Sequence, residues 1–146
     1  MIGLLQRVSE AYVEVGGERI ARIGAGLLVL VGIERSDDSG RAARLLERIL
    51  TYRVFPDAEG RMNLNLVEVG GGLLLVPQFT LAADTASGTR ASFTPAMPPE
   101  QARPLFEALV LLAKQGHRVV DSGRFGADMQ VGLVNDGPVS FIIEAR

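Results

Sequence analysis

Cysteine is absent from this chain, which removes disulfides, thiol nucleophiles and thiolate metal sites together. Histidine is reduced to one residue, His117, so a zinc centre built on histidines is disfavoured and a hydrolytic triad has no other base to use. Excess positive charge is also missing. The formal net charge is -2, whereas a protein that coats long nucleic acid is normally basic, so a nucleic-acid partner would be touched through a small local site. No apolar run approaches the roughly 18 residues that span a bilayer, and the start, Met1 to Arg7, has no basic segment ahead of a long apolar one. These absences lead us to expect a cytoplasmic protein without a membrane partner. The length of 146 residues suits one domain, residues 1–146, with a core that needs no covalent staples.

The chain opens with strand patterns over Ile2–Ser9 and Ala11–Val15, then Gly16-Gly17 as a hairpin signal before Glu18–Ile23 returns. Gly24-Ala25-Gly26 precedes the apolar run Leu27–Val31, expected to lie centrally in a sheet. No third glycine stands at Val29 and no helix pattern opens there, so these glycines read as a turn and not as a dinucleotide fingerprint. Asp37, Asp38 and Ser39 offer N-caps to a helix whose Ala42, Leu45, Leu46, Ile49 and Leu50 recur at helical spacing. Its Arg41, Arg44 and Arg48 read as a solvated face. A second helix is expected to run to about Gln115 and stop at Gly116, with Ala102, Leu105, Phe106, Leu109, Leu112 and Ala113 on one side. The segment Ala82–Pro99 has no sustained apolar period and reads as a long loop, the kind that covers a ligand. The last strands are expected at Phe125–Val134 and Val139–Ile143. The elements are thus strands of a sheet and two main helices.

Two stretches depart from ordinary strand and turn chemistry. In Leu73–Leu81, four apolar residues give way to Pro77, Gln78, Phe79 and Thr80 without a turn signal. Such a run reads as a strand covered on both faces, with its polar end emerging at the rim of the sheet. Pro77 has no N–H to continue a ladder, so the N–H groups of Gln78, Phe79 and Thr80 are expected to point elsewhere. The other stretch, Asn135-Asp136-Gly137-Pro138, has the composition of a tight turn between two strands. With no side chain at Gly137, a ligand amine can approach its carbonyl closely.

With both stretches in view, the chain resembles the bacterial D-aminoacyl-tRNA deacylase family from end to end. The residues that carry the resemblance are Gln6-Arg7-Val8-Ser9, Pro77-Gln78-Phe79-Thr80-Leu81, Gly123 through Met129, and Asn135 through Ser140, four separated motifs in the family's order. The resemblance implies an α/β fold, a single layered domain of mixed β-sheets with two main helices. It also implies hydrolysis of the ester joining a D-amino acid to the terminal adenosine of tRNA, in a homodimer with active sites at the subunit interface, without metal or cofactor. By similarity, Gln78, Phe79 and Thr80 line the reacting ester. Gly137-Pro138, with a cis peptide, reaches over from the partner subunit, grips the amino group with its carbonyls and leaves no room for an L side chain. Arg7 braces that loop, and Phe125 with Met129 borders the adenosine. Glycine on tRNA is not excluded by such a clash. The chain departs from the family in having Pro77 where Ser is usual and Ser140 where Thr is usual. A Pro-Gln start also occurs in a related family that clears L-alanine from wrongly charged tRNA, but Phe79 and Val139-Ser140 are similar to the D-specific group.

Without cysteine, and with one histidine on a short extended segment, ester hydrolysis has to proceed with little side-chain chemistry. The expectation is that the N–H groups of Phe79 and Thr80 stabilise the oxyanion. The nucleophile is then a water or the neighbouring ribose hydroxyl, because nothing evident activates Thr80. The rivals are a non-catalytic module that binds RNA ends or small amines, and a general esterase that pairs Ser122 or another hydroxyl with His117.

Overall fold

The first strand organises the others. In the computed structural model, which describes residues 1–146, Ile2–Val15 forms β1 as one strand. The expected break at Glu10 is instead part of a change of partner. Along one edge, β1 first pairs antiparallel with β3 (Gly26–Gly32) through Val8, and from Ala11 onward with β2 (Glu18–Ile23). Its other edge pairs with β8 (Gln130–Glu144), from Ile2 opposite Glu144 to Glu14 opposite Gln130. β3 then pairs parallel with β6 (Gly72–Pro77), and β6 parallel with β7 (Val120–Ser122).

The two continuous apolar runs, β3 and β6, are buried on both faces because alternate side chains enter different cores. Leu27, Val29, Val31, Leu73 and Leu75 pack with the helices α1 (Ser39–Thr51) and α3 (Pro99–Gly116). Leu28, Leu74 and Val76 meet Val8, Ala11, Val13, Ala21 and Ile23, where the far end of β1 and β2 folds back over the sheet. β2 and β7, the two ends of the strand order, are joined where the Arg22 N–H donates to the Asp121 carboxylate at 2.9 Å. The mixed sheet thus nearly closes into a barrel with helices outside, the layered α/β arrangement that the resemblance implies.

α1 is capped by Asp38, whose carboxylate accepts from the Arg41 N–H at 2.9 Å, and it buries Ala42, Leu45, Leu46 and Ile49. Burying each such leucine or isoleucine contributes about 1.5–3 kcal/mol. α3 starts at Pro99 and buries Ala102, Phe106, Leu109 and Ala113, while Leu112 turns to solvent. Pro104 lies inside α3, which leaves the Glu100 carbonyl without its helical N–H. The Met1 ammonium is buried and donates to Asp37 at 2.7 Å, Glu34 at 3.2 Å and the Ala145 carbonyl at 3.0 Å, tying β1, the approach to α1 and the chain end together. No helix is long and apolar enough to cross a membrane.

The remaining elements add to the sequence reading at one place and correct it at two. The piece after β4 (Phe55–Pro56) holds β5 (Met62–Leu64) and then a short helix α2 (Leu66–Val69), whose Asn65 and Glu68 form a reciprocal capping box. Phe125 precedes β8 and sits in a loop, where Gly126 takes φ +80. The Asn135–Pro138 segment is not a turn between two strands. Both flanking pieces belong to β8 and pair with the same strand, β1.

Candidate active site

Pro77 ends β6 opposite Val31 of β3. The next N–H, of Gln78, donates to the Val31 carbonyl at 2.8 Å, so the ladder runs one residue past the proline and this N–H is not available, contrary to expectation. The chain then winds into a 3-10 turn, Phe79–Ala82. Gly32 makes that possible, because a Cβ there would lie 2.8 Å from the Cβ of Leu81. Phe79 and Thr80 are the first two residues of the turn, so their N–H groups have no carbonyl within it, and no side chain caps them. Two adjacent donors are left at the rim of the sheet.

The Gln78 amide donates to the Thr80 hydroxyl at 2.5 Å. An amide is no base, so this contact orients Thr80 without activating it. His117 is held elsewhere: its Nε2 lies 2.7 Å from the Gly71 carbonyl, just before the opposite end of β6. At a rise of about 3.3 Å per residue, the length of β6 puts roughly 20 Å between His117 and Thr80. Ser122 lies beside Leu75, about 13 Å up the strand from Gly71 by the same rise, so the Ser122–His117 dyad is not formed.

Around Gln78 and Phe79 opens a cavity of about 700 Å³. Phe93 and Met97 enter it from the segment before α3, and Phe125, Asp128 and Met129 from the loop after β7. Phe79 and Phe93 are 57% and 47% exposed, with ring centroids 5.2 Å apart. Phe125 is braced from behind by Phe106 of α3 at 6.2 Å. Gly123 lets its loop close on β6, since a Cβ there would come within 2.9 Å of the Met129 sulfur. The long segment after Ala82 is an ordered hairpin. Asp84 and Ser92 exchange backbone hydrogen bonds of 2.8 and 2.9 Å, and Met97 donates to the Ile33 carbonyl at 3.0 Å. Sequence reasoning missed Phe93, Met97 and Asp128 as lining residues, because the first two lie in an aperiodic stretch and the third in a loop read as strand. Phe93 does carry one signal, a large aromatic residue among the small and polar residues of a functional loop.

Arg7, Gly137 and Pro138 form a separate group that does not line this cavity. On β8, Asn135 faces Val8 and Ser140 faces Gln6, so Asp136–Val139 bulges out opposite Arg7 alone. Arg7 Nε donates to the Asp136 carbonyl at 2.9 Å and Nη1 to the Val54 carbonyl at 2.7 Å, pinning the bulge to the chain ahead of β4. The Gly137-Pro138 peptide is cis. Gly137 has φ +132, and a Cβ there would lie 2.8 Å from the Val139 side chain, so only glycine fits. The bulge projects into solvent with Asp136, Gly137 and Pro138 exposed.

No group of three or more His, Cys, Asp or Glu side chains is placed to share a metal ion. The chemistry available is therefore a pair of unengaged backbone donors, one oriented hydroxyl and an aromatic-walled cavity with room for a nucleoside.

The family model described as D-Tyr-tRNA(Tyr) deacylase matches residues 4–144. The D-aminoacyl-tRNA deacylase of Alkalilimnicola ehrlichii is 62% identical over 146 residues, covering 100% of this chain and 97% of that protein. The D-aminoacyl-tRNA deacylase of Azotobacter vinelandii is 61% identical over 145 residues, covering 99% of this chain and all of that protein, 100%. Among solved structures, one named c-Myc DNA Unwinding Element Binding Protein superposes with a TM-score of 0.95 at 36% identity, over 100% of this chain and 99% of the other. A probable eukaryotic D-amino acid tRNA deacylase superposes with a TM-score of 0.84 over 98% of each chain; at 16% identity that likeness is one of fold. With its whole length matched at this identity, the chain belongs to the D-Tyr-tRNA(Tyr) deacylase family.

Proposed function

We propose that this D-aminoacyl-tRNA deacylase, a hydrolase, carries out its reaction at the end of β6, with the Phe79 and Thr80 N–H groups as the oxyanion hole. The observation that carries this reading is the pair of adjacent donors left without partners by the 3-10 turn, where Phe79 lines a cavity with room for a nucleoside and Thr80 follows just outside its lining. The terminal adenosine lies against Phe125 and Met129, with the ester carbonyl over the turn. A water, held beside the neighbouring ribose hydroxyl, attacks that carbonyl. The oxyanion forms where both N–H groups point, the bond to the ribose oxygen breaks, and that oxygen takes a proton, releasing free D-amino acid and tRNA. Donors fixed in advance stabilise this developing charge without reorganising. Thr80, held by Gln78, positions the ester and forms no covalent intermediate.

Chirality is read by a second copy of the chain. The Gly137-Pro138 bulge of one subunit lies over the cavity of the other, its carbonyls accept from the substrate ammonium, and an L side chain would run into the bulge. The dimer is supported by β8, an edge strand paired only with β1, on which Val134 is 50%, Phe141 37% and Ile142 68% exposed. An edge of that length and character is normally covered. The same geometry admits glycine, and the protein acts in the cytoplasm, where its substrate is made.

The test is release of amino acid from D-tyrosyl-tRNA and L-tyrosyl-tRNA in parallel, with and without chelator. Loss of the D ester alone, indifferent to chelator, is expected. Saturable binding without turnover would instead support a binding module, and loss of the L ester would mean that the bulge does not read chirality.

A further inference from the structure

Beside the main cavity lies a smaller cleft of about 390 Å³, between α3 and the loop after β7, lined among others by Arg103, Glu107, Asp121, Arg124 and Phe125. Phe125 borders both spaces. The Arg103 guanidinium stands at the boundary. Nη1 donates to the Phe125 carbonyl at 3.2 Å, the group lies 5.1 Å from the Phe125 ring centre, and Nη2 comes within 3.0 Å of where a Cβ on Gly126 would be. Gly126 itself lines the main cavity, so the guanidinium stands close to the passage between the two.

The lining carries two guanidinium groups and two carboxylates, and the arginines are not paired with either acid. Neither Arg103 nor Arg124 forms an ion pair, although Glu107 stands one helical turn from Arg103. The Asp121 carboxylate is occupied, accepting from the N–H groups of Arg22 at 2.9 Å and Ser122 at 3.0 Å. Arg103 commits one of its five N–H donors to Phe125, and Arg124 commits none to the protein. Two guanidinium groups with free, fork-shaped donor sets fit a tetrahedral oxyanion.

We propose that this cleft holds a backbone phosphate of the tRNA acceptor end, just upstream of the terminal nucleoside in the main cavity. The assignment rests on the proposed position of that nucleoside against Phe125. A phosphate contact fixes register without reading sequence, so Arg103 and Arg124 position the ester over the turn whichever tRNA carries it.

Binding of uncharged tRNA to the parent, Arg124→Ala, Arg103→Gln and Arg124→Lys is measured across a salt series. KM is measured for D-tyrosyl-tRNA and for the phosphate-free D-tyrosyl ester of adenosine. Each of the first two variants is expected to weaken tRNA binding roughly tenfold and to flatten the slope of log Kd against log salt by about 0.7, while Arg124→Lys keeps the parental slope. KM should rise at least about fivefold more for the tRNA ester than for the adenosine ester. A parental slope in both charge-removing variants, or equal losses on the two esters, would overturn the assignment. Failure of the parent to hydrolyse either ester would instead count against the proposed reaction, and the salt slopes would still decide whether the cleft binds phosphate.

Discussion

Replacing Phe79 with proline should remove one oxyanion donor while leaving the turn that presents it. Position 79 opens the 3-10 turn, where a proline is tolerated because its missing N–H has no helical partner to lose. Gln78, the preceding residue, has φ -142 and ψ 83, outside the helical region that a following proline disfavours. The substitution also removes the ring that meets Phe93, a contact worth about 0.5–1.5 kcal/mol, so Phe79→Ala serves as the control that loses the ring and keeps the N–H. Removing a single oxyanion donor costs about 2.7–4 kcal/mol, or roughly 100- to 1,000-fold in kcat. Single-turnover release of D-tyrosine from D-tyrosyl-tRNA should therefore be slower by about that factor in Phe79→Pro than in Phe79→Ala. Thermal melts would verify that both variants are folded. Equal rates in two folded variants would refute the assignment of the Phe79 N–H to the oxyanion hole.

Thr80→Ala should lower activity because Gln78 loses its partner and the ester its lateral support, Thr80→Ser should stay active, and acid quenching followed by mass spectrometry should find no aminoacyl adduct on the parent; a trapped ester on Thr80 would contradict a positioning role. Burial pushes the Glu34 carboxyl up, but hydrogen bonds from the Met1 ammonium and Arg146 outweigh it and hold the group below its ordinary 4.5. A carboxyl lowered in the folded state binds protons more weakly there than in the unfolded chain, so its contribution is complete above about pH 4.5 and fades as pH falls through the lowered value. The Tm advantage of the parent over Glu34→Gln should accordingly be level near neutrality and shrink below pH 4.5, and an advantage that grew with acid would be the wrong sign.

How much of this could be read in advance depended on how local each signal is. β3 and β6 announce themselves as unbroken apolar runs because both faces are covered, and the polar end of β6 marks the rim where the 3-10 turn sits. The helix α2 was missed although Asn65 and Glu68 stand at capping-box spacing, since a four-residue helix offers no period to count. Asn135–Pro138 misled for another reason. Its composition is that of a hairpin turn, and only the register with β1 around Arg7 makes it a bulge within one strand. The Gln78 N–H was likewise misjudged, because what a proline leaves free is decided by the neighbouring strand, here the Val31 carbonyl. The cavity wall from Phe93 to Met97 has no periodicity at all.

The central claim is that each active site combines the turn of one subunit with the Gly137-Pro138 bulge of another. It is tested most directly by mixing Phe79→Pro with Gly137→Val, each inactive alone, under conditions in which two differently tagged parental chains exchange subunits. Random reassortment of a two-fold dimer gives sites that are intact on both sides in about a quarter of cases. The account predicts that D-tyrosyl-tRNA deacylation recovers to about that fraction of the parental rate. Recovery of no activity, with mixed dimers isolated through both tags, would contradict it and place the whole site within one chain.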